Sequence, residues 1–92
     1  MSGIIGKFQR GAILHEVLVG ALRAKGDTFH AWCLRHGVNP NVARNATFGQ
    51  SRGPAGTEIV ERMVQAADPD FVERAYRNRL AQHLAELEED GK

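Results

Sequence analysis

Residues 28–48 read TFHAWCLRHGVNPNVARNATF, and this stretch decides the fold. Thr28 is a suitable N-cap, because its hydroxyl can accept from the unpaired amides of a first helical turn. Gly37 is the kind of residue that ends a helix. Asn39 followed by Pro40 gives a second start signal, an N-cap and then a proline at the first helical position. The stretch therefore predicts two short helices, at 29–36 and at about 40–48, joined by a turn of three residues.

The short turn also predicts how the two helices cross. A helix pair joined by three residues that include a glycine holds the second helix at a steep angle to the first. We expect Cys33 to lie at the crossing, where only a small side chain fits, and Gly37 to adopt a positive φ. Val38, Ala43 and Ala46 are predicted to face inward. The side chains left on the outer face of the second helix are then Asn41, Val42, Arg44, Asn45 and Phe48.

Helical apolar spacing on both sides of this pair predicts three more helices. The first begins near Ala12 and ends at Gly26. The fourth begins at Pro54, and the fifth runs from Asp68 to about Glu89. The predicted fold class is all-α, a compact five-helix domain with a flexible basic arm at 1–11, a helical core at 12–67 and a long C-terminal helix at 68–89. Phe8 is the residue of the arm that can dock on the body. The apolar side of that last helix is formed by Val72, Tyr76, Leu80, Leu84 and Leu87.

Size and composition narrow the class of protein. A chain of 92 residues with 42% apolar content has room for one core, and an enclosed enzyme pocket would compete with that core for side chains. We see no nucleophile–base pair, phosphate loop or paired carboxylates, so we expect no enzyme, no catalytic residue and no small-molecule substrate. Charges interrupt every apolar run before a bilayer is spanned, and the single cysteine fits a reducing compartment. We therefore expect a cytoplasmic protein with no membrane partner.

Charge is distributed unevenly along the chain. Residues 1–53 hold seven basic and two acidic side chains, a net charge of +5, whereas residues 54–92 hold five basic and nine acidic ones, a net charge of −4. A molecule polarised in this way can turn one face towards a polyanion. Arginine and asparagine dominate the predicted outer face of the helix at about 40–48. Their side chains suit bidentate pairing with guanine and adenine edges. The pattern favours double-stranded DNA as the partner.

On these residues the chain resembles the Ner-like regulators of transposable phages, within the wider lambda-repressor-like group of helix-turn-helix domains. The resemblance runs from about Gly26 to Val72. It implies a DNA-binding transcriptional regulator with five helices and no cofactor. The chain departs from the family at His36, at Ala43 and in its longer fifth helix. The resemblance rests on Gly26 and Gly37, on Gly37-Val38-x-Pro40, on Asn45-Ala46, and on Pro54-x-Gly56 with Ile59-Val60.

The resulting hypothesis is a sequence-specific regulator that places the helix at about 40–48 in the major groove. Thr28 and the amides after it would hold a phosphate. Lys7 and Arg10 would reach phosphate or the minor groove from the arm. Base edges would be read or buttressed by Asn39, Asn41, Arg44 and Asn45, and the backbone flanking the groove would be contacted by Gln50, Ser51 and Arg52.

Two other interpretations of the same residues have to be weighed. His30, Cys33 and His36 share one helical face, but a structural zinc site needs about four ligands and no fourth is evident, so no metal is expected. Trp32 is predicted to be a core residue rather than a base-stacking one. The alternative function is that of a protein-interaction adaptor, whose fifth helix docks a partner such as RNA polymerase. The same apolar face also predicts a homodimer.

Overall fold

A computed structural model describes residues 8–50 and 53–90 of the chain. Within these ranges the fold is all-α, as predicted, and no strand is present. The five helices are α1 (Ala12–Ala24), α2 (Phe29–Arg35), α3 (Pro40–Thr47), α4 (Pro54–Ala66) and α5 (Pro69–Asp90).

The short helices begin at the residues that the sequence indicates. The Thr28 hydroxyl accepts from the Ala31 amide at 3.0 Å, and Asn39 Oδ1 accepts from the Asn41 amide at 2.8 Å. Gly37 has a φ of 69°, which strains any residue with a Cβ, and it ends α2. The last helical residue of α2 is Arg35 rather than His36, because His36 already leaves helical geometry to lead into the glycine. Boundary shifts of one residue of this kind are ordinary fraying.

One core lies between all five helices. α1 packs mainly against α5, and α3 packs mainly against α4. Trp32 is 1% exposed, so it is a core residue as predicted. The apolar residues along α4 and directly after it are all buried: Ile59, Val60, Met63, Val64 and Ala67. The largest fully buried side chains are Trp32, Leu14, Leu18, Leu22, Met63, Val60, Val64, Val72, Thr47 and Cys33.

The segment before α1 corrects the predicted flexible arm. Phe8 is buried, with its ring edge-on to Tyr76 at a centroid distance of 5.0 Å. The Gln9 amide donates to the Tyr76 hydroxyl at 2.8 Å, and the Gly11 amide donates to the Thr47 carbonyl at 3.0 Å. Residues 8–11 are therefore not a free arm, and Phe8 docks on the body as the sequence allowed. Burying an aromatic ring and satisfying the tyrosine hydroxyl both favour docking of this segment.

Only the first half of α5 belongs to the core. Val72 and Tyr76 are buried, whereas Leu80, Leu84 and Leu87 are 41%, 57% and 55% exposed. The apolar side predicted for this helix is present, but it is longer than the face that the core covers. Among the described residues, none of the helices combines the length and apolarity that crossing a bilayer requires.

Candidate nucleic-acid interface

The α2–α3 pair has the inner packing that the sequence predicts. Cys33, Ala43 and Ala46 are fully buried, and Val38 is partly buried against the same core. The Val38 amide donates to the Cys33 carbonyl at 2.8 Å, which closes the turn tightly onto the end of α2. Small side chains at the crossing allow α3 to lie close to its neighbours. The outer face of α3 is thereby set in one orientation.

That outer face is polar and carries no carboxylate. Asn41, Val42, Arg44 and Asn45 are exposed, as predicted. Asn39 is exposed too, but its Oδ1 accepts from the Asn41 amide, so it stabilises the start of α3. The three side chains with polar groups available for contact along this helix are Asn41, Arg44 and Asn45.

Phe48 corrects the predicted outer face. It is half-buried rather than exposed, because its ring stacks on His15 of α1 with a centroid distance of 4.4 Å and an interplanar angle of 27°. The stacking removes apolar ring surface from water. α3 also ends at Thr47, one residue before Phe48. Phe48 is therefore part of the packing between α1 and the end of α3.

A cavity of about 660 Å³, which we call the basic cavity, lies beside α3. It is bounded by one side of α1 and by the first residues of α2 and α3. Two arginines, two histidines and two asparagines contribute polar groups to its wall. No acidic residue lines it among the described residues. The lining residues are His15, Val19, Arg23, Thr28, Phe29, His30, Asn39, Pro40, Asn41 and Arg44.

Arg23 and Arg44 bring positive charge to this cavity, and neither forms an ion pair with any residue that the structure describes. Burial lowers the pKa of His15, and the nearby charge of Arg44 lowers it further. His15 is therefore held neutral near pH 7, with its charged form disfavoured by its surroundings. The arrangement offers two guanidinium groups, free of ion pairs in the described part of the chain, to an incoming ligand. An anion fits this chemistry.

The start of α2 is less available to an anion than the sequence predicts. The Thr28 amide donates to Asp27 Oδ1 at 2.8 Å, and the Ala31 amide donates to the Thr28 hydroxyl. Asp27 also pairs with Arg35, and that hydrogen bond lowers the pKa of the carboxyl to about 2. Two amides at the start of α2 are therefore already used, one of them beside a fixed negative charge, and phosphate binding by Thr28 stays a prediction. The hydroxyl hydrogen of Thr28 is what this residue can offer to a phosphate.

The remaining predicted contact residues are spread over several places. Gln50 is exposed just beyond α3, and its amide donates to the Asn45 carbonyl at 2.8 Å. Arg10 is half-buried and lines a second cavity of about 390 Å³ next to Tyr76 of α5. Lys7, Ser51 and Arg52 lie outside the described residues.

The sequence analysis did not assign His15, Arg23 or His30 to a binding surface, although all three line the basic cavity. His15, Val19 and Arg23 are spaced four residues apart, so they form one side of α1 beside the apolar stripe. That spacing was a usable signal for a shared polar face. Thr47 was missed as well, and nothing in its sequence position distinguishes a fully buried threonine at the end of a helix.

His30, Cys33 and His36 do not converge on one point. Cys33 is buried and its thiol pKa is raised by that burial, while His36 stacks on Trp32 at a centroid distance of 4.3 Å. His30 lies in the wall of the basic cavity. No group of three or more metal-ligating side chains occurs in residues 8–50 and 53–90. No family model matches the chain, and comparisons with curated proteins and with solved structures find no match either.

Proposed function

We propose that the protein is a sequence-specific, double-stranded DNA-binding regulator that inserts α3 into the major groove. The observation that carries this proposal is the exposed face of α3, where Asn41, Arg44 and Asn45 stand next to the basic cavity. No carboxylate belongs to that described face or to the cavity wall. A surface that combines amide and guanidinium groups in this way suits base edges flanked by phosphate.

Each exposed side chain has a matching contact in this proposal. Arg44 can donate two parallel hydrogen bonds to the O6 and N7 atoms of guanine, and Asn45 or Asn41 can pair with the N6 and N7 atoms of adenine. Val42, 45% exposed on the same helix, offers apolar contact to a thymine methyl group. These contacts discriminate between bases. They are the source of specificity in the proposal.

The basic cavity supplies affinity rather than specificity. Arg23 lies on α1 and is free of acidic partners in the described part of the chain, so it can approach a backbone phosphate beside the groove. Such contacts release counterions and position the protein on any sequence. Asp27, which is next to Thr28, restricts this contact to the side of the cavity away from the start of α2.

The resemblance of residues 26–72 to phage Ner-like regulators supports a role in transcription. In that setting the protein would act on operator DNA in the cytoplasm of a bacterial host. The charge polarity of the chain agrees with this orientation, because the acidic half of α5 would be repelled by the phosphates and stay away from them.

Selection of bound sequences from a random duplex pool tests the proposal directly. We expect a defined site of a few base pairs that the protein shifts in a native gel. Asn45→Ala should lose that preference. The matched control is Asn78→Ala, which removes the same exposed amide from α5 and should leave the preference intact. Recovery of no preferred sequence, or equal loss in both variants, would overturn the proposal.

The exposed half of α5 favours a second candidate function, a protein-interaction adaptor. Leu80, Leu84 and Leu87 form an apolar face that a partner such as RNA polymerase could cover. The two candidates differ in one measurement. An adaptor binds no duplex DNA at low salt, whereas the proposed regulator binds any duplex weakly under that condition.

A further inference from the structure

The C-terminal half of α5 carries an apolar seam that the described chain leaves uncovered. Leu80, Leu84 and Leu87 are separated by four and then three residues, which is the spacing of a coiled-coil seam. The same spacing continues back to Arg77 and Glu73, which form an ion pair at 3.0 Å. Every side chain from 81 to 89 is exposed. The seam is thus charged near the body of the protein and apolar beyond it.

Charge along α5 changes sign from one end to the other. The half nearest the core, 69–79, holds three arginines and two carboxylates, a net charge of +1, whereas the last half, 80–90, holds four carboxylates and no Lys or Arg, a net charge of −4. Two parallel α5 helices would bring the acidic ends together and repel each other. Two antiparallel helices would bring each acidic end beside a basic half. Their helix dipoles would also attract each other, because the positive end of each lies beside the negative end of the other.

Arg74 and Glu88 show how well an antiparallel pair fits. They are two heptads apart and therefore lie on the same flank of the seam, with Ala81 midway between them. Both are exposed, and neither has an ion-pair partner in the described part of the chain. A two-fold axis at the level of Gln82 sets Leu80 of each copy against Leu84 of the other. It leaves Arg74 of one copy and Glu88 of the other offset by two residues, about 3 Å of helical rise, which their long side chains can span.

We propose that α5 pairs in an antiparallel manner with α5 of a second copy of this chain, through the Leu80–Leu84–Leu87 seam flanked by two Arg74–Glu88 ion pairs. The occupant is a second copy because the pattern is complementary to itself. An anionic lipid surface or nucleic acid would be repelled by the acidic end of the seam. The pairing does not depend on DNA binding, so the proposed function and this interface can fail separately.

Sedimentation equilibrium of the full chain tests the apolar part of the interface. We expect a dimer in the micromolar range. Leu84→Glu should raise its dissociation constant at least about tenfold, because a charge would be buried in the seam. Gln82→Glu is the control, since it adds the same charge on the opposite side of the same helix and should leave the dimer in place. A wild-type protein that stays monomeric throughout the micromolar range would overturn the proposal.

Charge reversal tests the antiparallel orientation. Arg74→Glu and Glu88→Arg should each weaken the dimer by about tenfold, since each places two like-charged pairs in the interface. The double variant restores both pairs with reversed sign and should recover most of the wild-type association. Circular dichroism of each variant checks that the helices are retained. If the double variant associates no better than the single ones, the antiparallel pairing is wrong.

Discussion

Nδ1 of His15 lies 2.8 Å from Oγ1 of Thr47, and this hydrogen bond joins α1 to the last turn of α3. The Thr47 hydroxyl also donates to the Arg44 carbonyl at 3.0 Å, so the imidazole supplies the hydrogen between the two side chains. Phe29 and Phe48 lie against the same ring, at centroid distances of 5.0 and 4.4 Å. The orientation of the proposed recognition helix is therefore fixed partly by one histidine of α1.

Removing the Thr47 hydroxyl should destabilise the fold. Thr47→Val keeps the shape of this fully buried side chain but leaves the His15 Nδ1–H without its acceptor. We expect a loss of about 1–3 kcal/mol in the free energy of unfolding, measured by urea denaturation. Thr57→Val on the half-buried surface of α4 is the control, and it should change stability by less than about 0.5 kcal/mol. Equal effects of the two substitutions would contradict the assigned role.

The lowered pKa of His15 predicts a pH dependence of stability. Because the folded pKa lies below the unfolded value, the unfolded chain binds more protons between the two. The stability that the neutral ring contributes is present above about pH 6.5 and declines as the pH falls below that value. Thermal unfolding between pH 8 and pH 5 should show this decline. His15→Gln should reduce this pH dependence, whereas His83→Gln, at an exposed position of α5, is the control and should leave it in place. If the decline is the same in His15→Gln as in the wild type, titratable groups other than His15 cause it.

The elements that depend on local chemistry could be predicted from the sequence. Thr28, Asn39 and the prolines at 40, 54 and 69 set helix starts, because capping and proline geometry act within one turn. The inward-facing Ala43 and Ala46 followed from helical spacing. The outward face of α3 was then assigned to the side chains that do not face inward, and only Phe48 was placed wrongly.

The contacts that could not be predicted join residues that are far apart in the sequence. Phe8 docks on Tyr76 and Thr47 meets His15, and neither contact leaves a periodic pattern in the chain. The basic cavity has the same origin, since its wall joins α1 to α2 and α3. The apolar side of α5 was recognised, but only packing shows that the core covers Val72 and Tyr76 and stops short of Leu84.

Docking of the segment before α1 should contribute to stability. Phe8→Ala removes a ring that is 7% exposed and leaves a gap beside Tyr76, so we expect a loss of about 3 kcal/mol on chemical denaturation. Phe71→Ala is a matched control, because that ring is 38% exposed on the surface of α5 and its removal should cost much less. A free arm, in contrast, would make Phe8→Ala the milder of the two changes.

The last prediction separates base contact from phosphate contact within the proposed interface. Arg44 lies on the exposed face of α3, where it can reach a base edge, whereas Arg23 lies on α1 across the basic cavity, where a phosphate is the group within reach. Arg44→Ala should cost about 1–3 kcal/mol on the preferred site and relax discrimination at one or two base pairs. Arg23→Ala should weaken all sequences alike and lower the slope of log affinity against log salt by about one. Both variants would be titrated at several salt concentrations on the preferred duplex and on point-mutated duplexes. Uniform loss in Arg44→Ala, with base preference intact, would show that α3 is not the helix that contacts the bases.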